Sequence, residues 1–322
     1  MLSKHSEELA CVLVVSPTYS GCISDIAELG VLCHVHGLPL IVDEAHGAHL
    51  IGGDGMPAGA LTCGADVVVH SAHKTLGGLT QLGLIHIGQR SLVPPEAVRA
   101  CLNMIQTSSP SYLLLASLEQ ALAAVEQPQT LSRMLEMRQA FSRQTKPIKN
   151  IQWLQSGSNC FKADPLHMLA RVEGISAQAL YDECCQWGVF PEAVLGEGVL
   201  FLLGVGTRSY EMESLADVLE HMAVQTQERG FSPAAPNMVR HNTGGPAPVS
   251  GEQVLSPRQA FFSACETIAA KDAAGRIAAE CVAPCPPGIP RVVPGMRVTA
   301  EAVATFPQTH LRVVVESGPR RT

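Results

Sequence analysis

Two apolar runs in this chain end in reactive side chains, and that pairing constrains the fold more than any other feature. Leu38-Pro39-Leu40-Ile41-Val42 runs into Asp43-Glu44-Ala45-His46, and Asp66-Val67-Val68-Val69-His70 runs into Ser71-Ala72-His73-Lys74-Thr75. Continuous apolar runs of this length read as parallel strands buried on both faces. A lysine at the end of such a strand is costly to bury unless it is paired or neutralised. Forming a Schiff base neutralises it, and a carboxylate such as Asp43 is the partner that the pyridinium nitrogen of pyridoxal phosphate (PLP) requires. The two strands together offer both ends of one cofactor. Taken singly, a lysine after a strand reads as a solvated end, and an aspartate there as a turn or helix-cap residue.

The surrounding pattern is α/β. Residues 11–16 read as a strand, 24–36 as a helix with Ser24 as N-cap, and 38–43 as the next strand, which makes a right-handed parallel crossover. Ligands collect at the carboxyl ends of strands in such sheets, and Tyr19, Asp43, His46, Ser71 and Lys74 all lie at or just past such ends. Residues 83–88 supply a further strand, and 94–106, 111–126 and 131–144 are helical, with a break at Gln127-Pro128. From residue 151 the pattern suits a small α+β domain, with strands over 167–172 and 199–203 and helices over 176–187 and 212–228. A Pro/Gly-rich stretch over 231–248 reads as a linker. Beyond it, 260–281 reads as largely helical and 311–316 as a strand. No internal repeat is visible.

Composition narrows the function classes. At 322 residues and 46% hydrophobic, with mean hydropathy +0.17, the chain can bury a core across two or three domains. A formal net charge of -7 provides no basic surface for nucleic acid or an anionic membrane, and it is compatible with a cationic substrate. Eleven cysteines, Cys11, Cys22, Cys33, Cys63, Cys101 and Cys281 among them, are scattered through apolar segments and read as buried free thiols. Cys184-Cys185 has no His or Cys at metal-ligand spacing nearby, so no metal site is expected. The polar, acidic start Met1 to Glu8 does not read as a signal peptide, and no run reaches membrane-spanning length. The expected location is cytoplasmic.

The two reactive segments, together with Leu79-Thr80-Gln81, resemble the bacterial-type Orn/Lys/Arg decarboxylases, PLP enzymes of the aspartate aminotransferase fold. The likeness extends to Ser16-Pro17-Thr18-Tyr19-Ser20-Gly21, to residues 107–119 beginning Thr107-Ser108-Ser109-Pro110, and to Leu255-Ser256-Pro257-Arg258, Pro286-Pro287-Gly288-Ile289-Pro290 and Pro294-Gly295. Cys285 stands where the family usually has an aromatic residue, and Met296 where an acidic one is common.

The resemblance implies an α/β chain made of a partial, mostly parallel PLP-binding large domain (1–148), a small α+β domain (149–230), a linker (231–254) and a C-terminal decarboxylase-like domain (255–322). It implies decarboxylation of arginine, lysine or ornithine to agmatine, cadaverine or putrescine. Lys74 would carry the cofactor, Asp43 would hold its ring nitrogen protonated, and Ala45 would pack on one ring face. Ser71 and His73 would approach the phosphate. His46 would contact cofactor or substrate carboxylate, or act as a structural hydrogen-bonding residue. Tyr19 and Glu192 would border the substrate, Glu192 alternatively being a solvated surface carboxylate. A homo-oligomer is implied. In the family, a phosphate loop and a ring-stacking His precede the Ser-Pro-Thr-Tyr block, so an N-terminally truncated chain is expected here. The rival expectation is a truncated non-catalytic homologue or gene fragment lacking that loop and His, which at most oligomerises with an intact partner; separately, a sheet shortened on one side is expected to make the isolated chain aggregate. An aminotransferase or lyase of the same fold fits Asp43 and Lys74 alone.

Overall fold

Period-2 side-chain alternation decides which face of the first sheet is buried. In this computed structural model, residues 6–53, 55–154, 160–228, 251–283, 290–304 and 310–315 are described. They fall into two compact units, Met1–Arg240 and His241–Thr322.

The first unit opens with β1 (Val12–Val15), a short β2 (Cys22–Ile23), helix α1 (Ile26–Val35), β3 (Leu40–Asp43), β4 (Val67–Ser71), the one-turn helix α2 (Ala72–Thr75) and β5 (Gly83–Ile87). The sheet order is β1-β3-β4-β5, with the first three strands parallel and β5 antiparallel to β4. Leu40, Val42 and Val68 turn to one face, where they join Ile26, Cys33, Leu38 and Ala65 in a buried cluster. Val15, Asp43, Val69 and Ile85 are in-register neighbours and so share the opposite face. That face is open: Val15 is 51% exposed and Leu13 66%. The expectation of strands buried on both sides is therefore corrected for β1 and β3, whose burial alternates along the strand, whereas β4 buries Val67 and Val68 in succession.

The cap of α1 is Asp25 rather than Ser24. Asp25 Oδ1 accepts from Glu28 N at 3.0 Å, while Ser24 N is drawn to Ser16 Oγ at 3.0 Å. Asp66 pins the entry to the sheet, accepting from Leu40 N, Leu92 N and the His34 imidazole at 2.6–2.8 Å. Burial alone would raise its carboxyl, but these bonds hold it below the usual range.

Three helices follow, α3 (Pro95–Ile105), α4 (Tyr112–Glu126, capped by Ser111) and α5 (Pro128–Thr145). A second sheet, ordered β6-β8-β10-β9, comprises β6 (Ile151–Trp153), β8 (His167–Val172), β9 (Ala193–Leu195) and β10 (Gly198–Leu202). All its pairings are antiparallel. Helices α6 (Ala177–Gln186) and α7 (Ser209–Glu228) complete this region. Its core joins Leu166, Met168, Val199 and Leu219 to Phe141 of α5 and Leu76 beside α2. The short β7 (Lys162–Ala163) pairs antiparallel with β2, which lays the start of β8 against the loop after β1.

The second unit contains α8 (Pro257–Phe262), β11 (Cys265–Ala269), α9 (Ala300–Val303) and β12 (His310–Val314). A helix over 260–281 is not formed. The helix begins earlier, at a Ser256/Gln259 capping box, and stops at Ser263. Residues 265–269 pair with β12 instead, the β-branched Thr267 and Ile268 favouring a paired strand over a helix. Leu311 and Val313 of β12 are buried against Ala273, Ala278, Val292 and Val298. Most of the linker read over 231–254, together with Pro286 to Ile289 and Cys285, lies outside the described residues.

Every described cysteine is a free thiol. Cys33 and Cys184 are buried as expected, whereas Cys101 and Cys281 are exposed. Cys101 sits on α3, which buries none of its residues. Among the described residues, no helix is long and apolar enough to cross a membrane.

Candidate active site

Parallel β1, β3 and β4 end side by side, and the segments that leave them carry the reactive groups. Asp43 closes β3, and its Oδ1 accepts from Ala45 N at 3.0 Å. This Asx-type turn sends the chain toward His46. Ser71 closes β4 and caps α2 without a side-chain capping bond, so Lys74 rides on a helical turn rather than a loose loop. The Lys74 amine donates to His46 Nε2 at 3.0 Å. Tyr19 presents its ring edge-on to His46, the centroids 5.0 Å apart, and its hydroxyl donates to Glu192 Oε1 at 2.6 Å.

The structure thus brings Lys74, His46, Tyr19 and Glu192 into one connected set, with Asp43 and Ala45 at its base. His73 is oriented differently: its Nδ1 lies 3.2 Å from the Leu82 carbonyl, to which it donates. Ser71 sits at the strand end, paired in register with Gly83.

Electrostatics single out His46. Burial first, then the charges of Lys74 and His167, lower its pKa to about 4, against the opposing pull of Asp43 and Asp164. It is neutral at physiological pH. A neutral imidazole that accepts the lysine proton at Nε2 carries its own proton on Nδ1. That Nδ1 is buried and has no hydrogen-bond partner among the described residues.

Sequence reasoning missed two buried networks flanking this set. In the first, Glu44 accepts from His70 Nε2 at 2.8 Å and from Ala60 N at 2.9 Å, and His70 Nδ1 lies 3.1 Å from His86 Nε2. In the second, Asp164 lies between two imidazoles, His49 Nε2 at 3.0 Å and His167 Nδ1 at 3.1 Å. Burial alone would raise the Asp164 carboxyl, but these two imidazoles hold it well below the usual carboxylate range. The His167 ring is 6.1 Å from that of His46. Four of these residues were visible only as histidines near the motif or after an Asp-Pro pair, and the Glu44–His70 and His49–Asp164 contacts span 26 and 115 positions in sequence. Among the described residues, no group of three or more His, Cys, Asp or Glu is arranged to hold a metal ion.

An amine, a carboxylate and a neutral imidazole at the carboxyl ends of parallel strands form the donor set that an aldehyde cofactor with a pyridine ring uses. Comparison with known proteins agrees. Residues 2–207 match the major domain of the Orn/Lys/Arg decarboxylases and residues 248–316 their C-terminal domain. The chain belongs to the Orn/Lys/Arg decarboxylase family.

It is 33% identical over 299 residues to an uncharacterized protein, YaaO, of Bacillus subtilis (strain 168), covering 91% of this chain and 60% of that one. It is 30% identical over 312 residues to an arginine decarboxylase of the same organism, covering 94% and 62%. The chain therefore spans about three fifths of the length of these curated relatives. Its fold matches the constitutive lysine decarboxylase of E. coli with a TM-score of 0.64 at 19% identity, over 95% of this chain and 58% of that one. It also matches the ureidoglycine-glyoxylate aminotransferase of Bacillus subtilis, with a TM-score of 0.56 at 16% identity, over 74% and 64%. At such identities these two likenesses establish the α/β fold alone.

Proposed function

We propose that this chain binds PLP through Lys74 and acts in the decarboxylation of a basic amino acid: arginine, lysine or ornithine. The observation that carries the reading is the 3.0 Å contact of the Lys74 amine with a neutral His46, set beside the Asp43 carboxylate on the neighbouring strand end. When bound, PLP would supply an electron sink for the carbanion left as carbon dioxide departs.

The chain's own residues have distinct parts in this reading. Lys74 holds the cofactor, and Asp43 keeps a proton on the ring nitrogen. Ala45 would leave room for the ring and Ser71 would approach the phosphate, whereas His73, its Nδ1 engaged by the Leu82 carbonyl, would have only Nε2 to offer. His46, uncharged and bonded to the lysine through Nε2, can take or return a proton at that atom. Tyr19 and Glu192, linked at 2.6 Å, border the substrate, where the carboxylate favours a cationic side chain. The arginine decarboxylase of Bacillus subtilis favours that substrate class. The division into large, small and C-terminal domains at residues 148, 230 and 254, a homo-oligomeric state and a cytoplasmic location belong to the same reading.

The test is borohydride reduction of the purified chain incubated with PLP, followed by peptide mass mapping, with Lys74→Ala as control. Pyridoxyl on Lys74, lost in Lys74→Ala, is the expected result. Absent or scattered labelling would overturn the reading in favour of a non-catalytic homologue.

A further inference from the structure

Cys22 and Cys160 meet at the short ladder that holds down the loop carrying Tyr19. Cys22 opens β2, Cys160 stands just before β7, and the two strands pair Cys22 with Ala163 and Ile23 with Lys162. Backbone bonds extend the ladder at both ends: Phe161 N donates to Ile23 O at 3.1 Å, and Asp164 N to Gly21 O at 2.8 Å. The Cys160 side chain folds back onto it, with Sγ 2.7 Å from the Lys162 carbonyl oxygen and 3.9 Å from that of Ile23. There the thiol comes into hydrogen-bond contact with that of Cys22.

This pair differs from the cysteines of the core. Cys33 and Cys184 are buried and act as small apolar side chains, whereas Cys22 and Cys160 are both partly exposed. A small oxidant can reach them, and two thiols in contact need lose only two protons and two electrons to bond. Their parts are unequal. Burial first, then Cys160, pushes the Cys22 thiol up to about 12, so Cys22 stays protonated at physiological pH and attack on an oxidant falls to Cys160.

We propose that Cys22 and Cys160 are a peroxide-sensitive dithiol, whose reversible disulfide ties the loop carrying Tyr19 to the strand leading to Asp164 and His167. Neither step needs PLP or an amino-acid substrate. The Cys160 thiolate attacks one oxygen of hydrogen peroxide and the O–O bond breaks. The departing hydroxide takes up the proton that Cys160 shed, which leaves a sulfenic acid and one water. The Cys22 sulfur then attacks the sulfenic sulfur: the S–S bond forms, the S–O bond breaks, and the hydroxyl leaves with the Cys22 proton as a second water. Two thiols are oxidised and one peroxide is reduced. A small dithiol reverses the bond by exchange. The link reinforces a ladder of only two residue pairs, and it closes a long loop in the unfolded chain, where a disulfide stabilises most.

The experiment treats the freshly reduced full chain with one equivalent of hydrogen peroxide, blocks the remaining thiols by alkylation and maps peptides without reduction. Among eleven cysteines, the Cys22–Cys160 pairing should exceed every other by about tenfold, because contact in the folded chain selects it. It should vanish on adding dithiothreitol, and the same treatment in urea should scatter the pairings. Scattered pairings in the folded chain, bonds only between molecules, or irreversible oxidation of Cys160 with Cys22 untouched would overturn the dithiol. The mapping uses the unmodified chain, so it stands whether or not a serine variant folds.

Two further readouts fix the order and the tie. In Cys22→Ser, dimedone should label Cys160 as the trapped sulfenic acid; absence of that label would overturn Cys160 as the attacking thiol. The urea midpoint of the oxidised chain should lie above that of the reduced chain, and the gap should close in Cys160→Ser. No gap in the unmodified chain would overturn the tie.

Discussion

Glu44 and Asp164 are both nearly fully buried carboxylates that hold imidazoles, and the two networks differ in how completely they are satisfied. Glu44 receives the Ala60 N–H as well as His70, and both ring nitrogens of His70 are engaged. Around Asp164, the outward nitrogens of His49 and His167 have no partner among the described residues. The sheet explains the separation. Asp43 and Glu44 are consecutive and leave β3 toward opposite faces, so Glu44 joins the packed side with His70 while Asp43 stays on the open side with Lys74. A closed buried network rigidifies its surroundings, whereas an open one has spare hydrogen-bonding capacity where a ligand can enter. Glu44 therefore reads as the frame of the site and Asp164 as part of its working surface.

Removing Glu44 should have the largest effect. Glu44→Ala leaves His70 Nε2 and Ala60 N buried without their acceptor, which should cost about 3 kcal/mol. Urea unfolding of the purified chain would measure it. A cost of under about 1 kcal/mol, the ordinary net value of a hydrogen bond, would break the distinction between frame and working surface.

Gly21→Ala comes next. Alanine must adopt φ +85° and place its Cβ 2.4 Å from His167 Cβ, a contact near the backbone that no rotamer change relieves. A cost of about 2 kcal/mol is expected from strain and displacement together. The variant should also lose pyridoxyl trapping on Lys74, because Tyr19 moves away from His46. Full trapping with wild-type stability would show that the Tyr19 loop does not depend on His167.

The legible and illegible parts of the molecule divide along the same line. Lys74 and Asp43 could be found because each follows a continuous apolar run, and strand ends are where an α/β sheet puts its chemistry. The Glu44–His70 and Asp164–His167 pairs could not be found that way. His70 looked like the last residue of a hydrophobic strand, and Asp164 joins His49 across 115 positions through the β2–β7 contact, a two-residue ladder with no sequence signature. The 265–269 segment was misread because its strand state depends on β12, more than 40 residues later. The displaced cap of α1 reflects two adjacent residues, Ser24 and Asp25, that are both good caps.

The smallest expected effect concerns pH and bears on His46 alone. Its folded pKa of about 4 lies below the value of about 6.5 for an unfolded histidine. As pH falls through that window the unfolded chain takes up a proton that the folded chain refuses, so folding stability drops on acidification. Above about pH 6.5 the contribution is flat, because both states are neutral there. His86 is lowered in the same direction, by burial and then by His70, so the wild-type curve alone does not isolate His46. The difference between wild type and His46→Gln does. Urea midpoints at several values between pH 7.5 and 4 should show wild type losing stability relative to the variant as pH falls. If the difference stays constant, His46 has gained a partner at Nδ1 in solution, and the open network is closed at that nitrogen without any substrate.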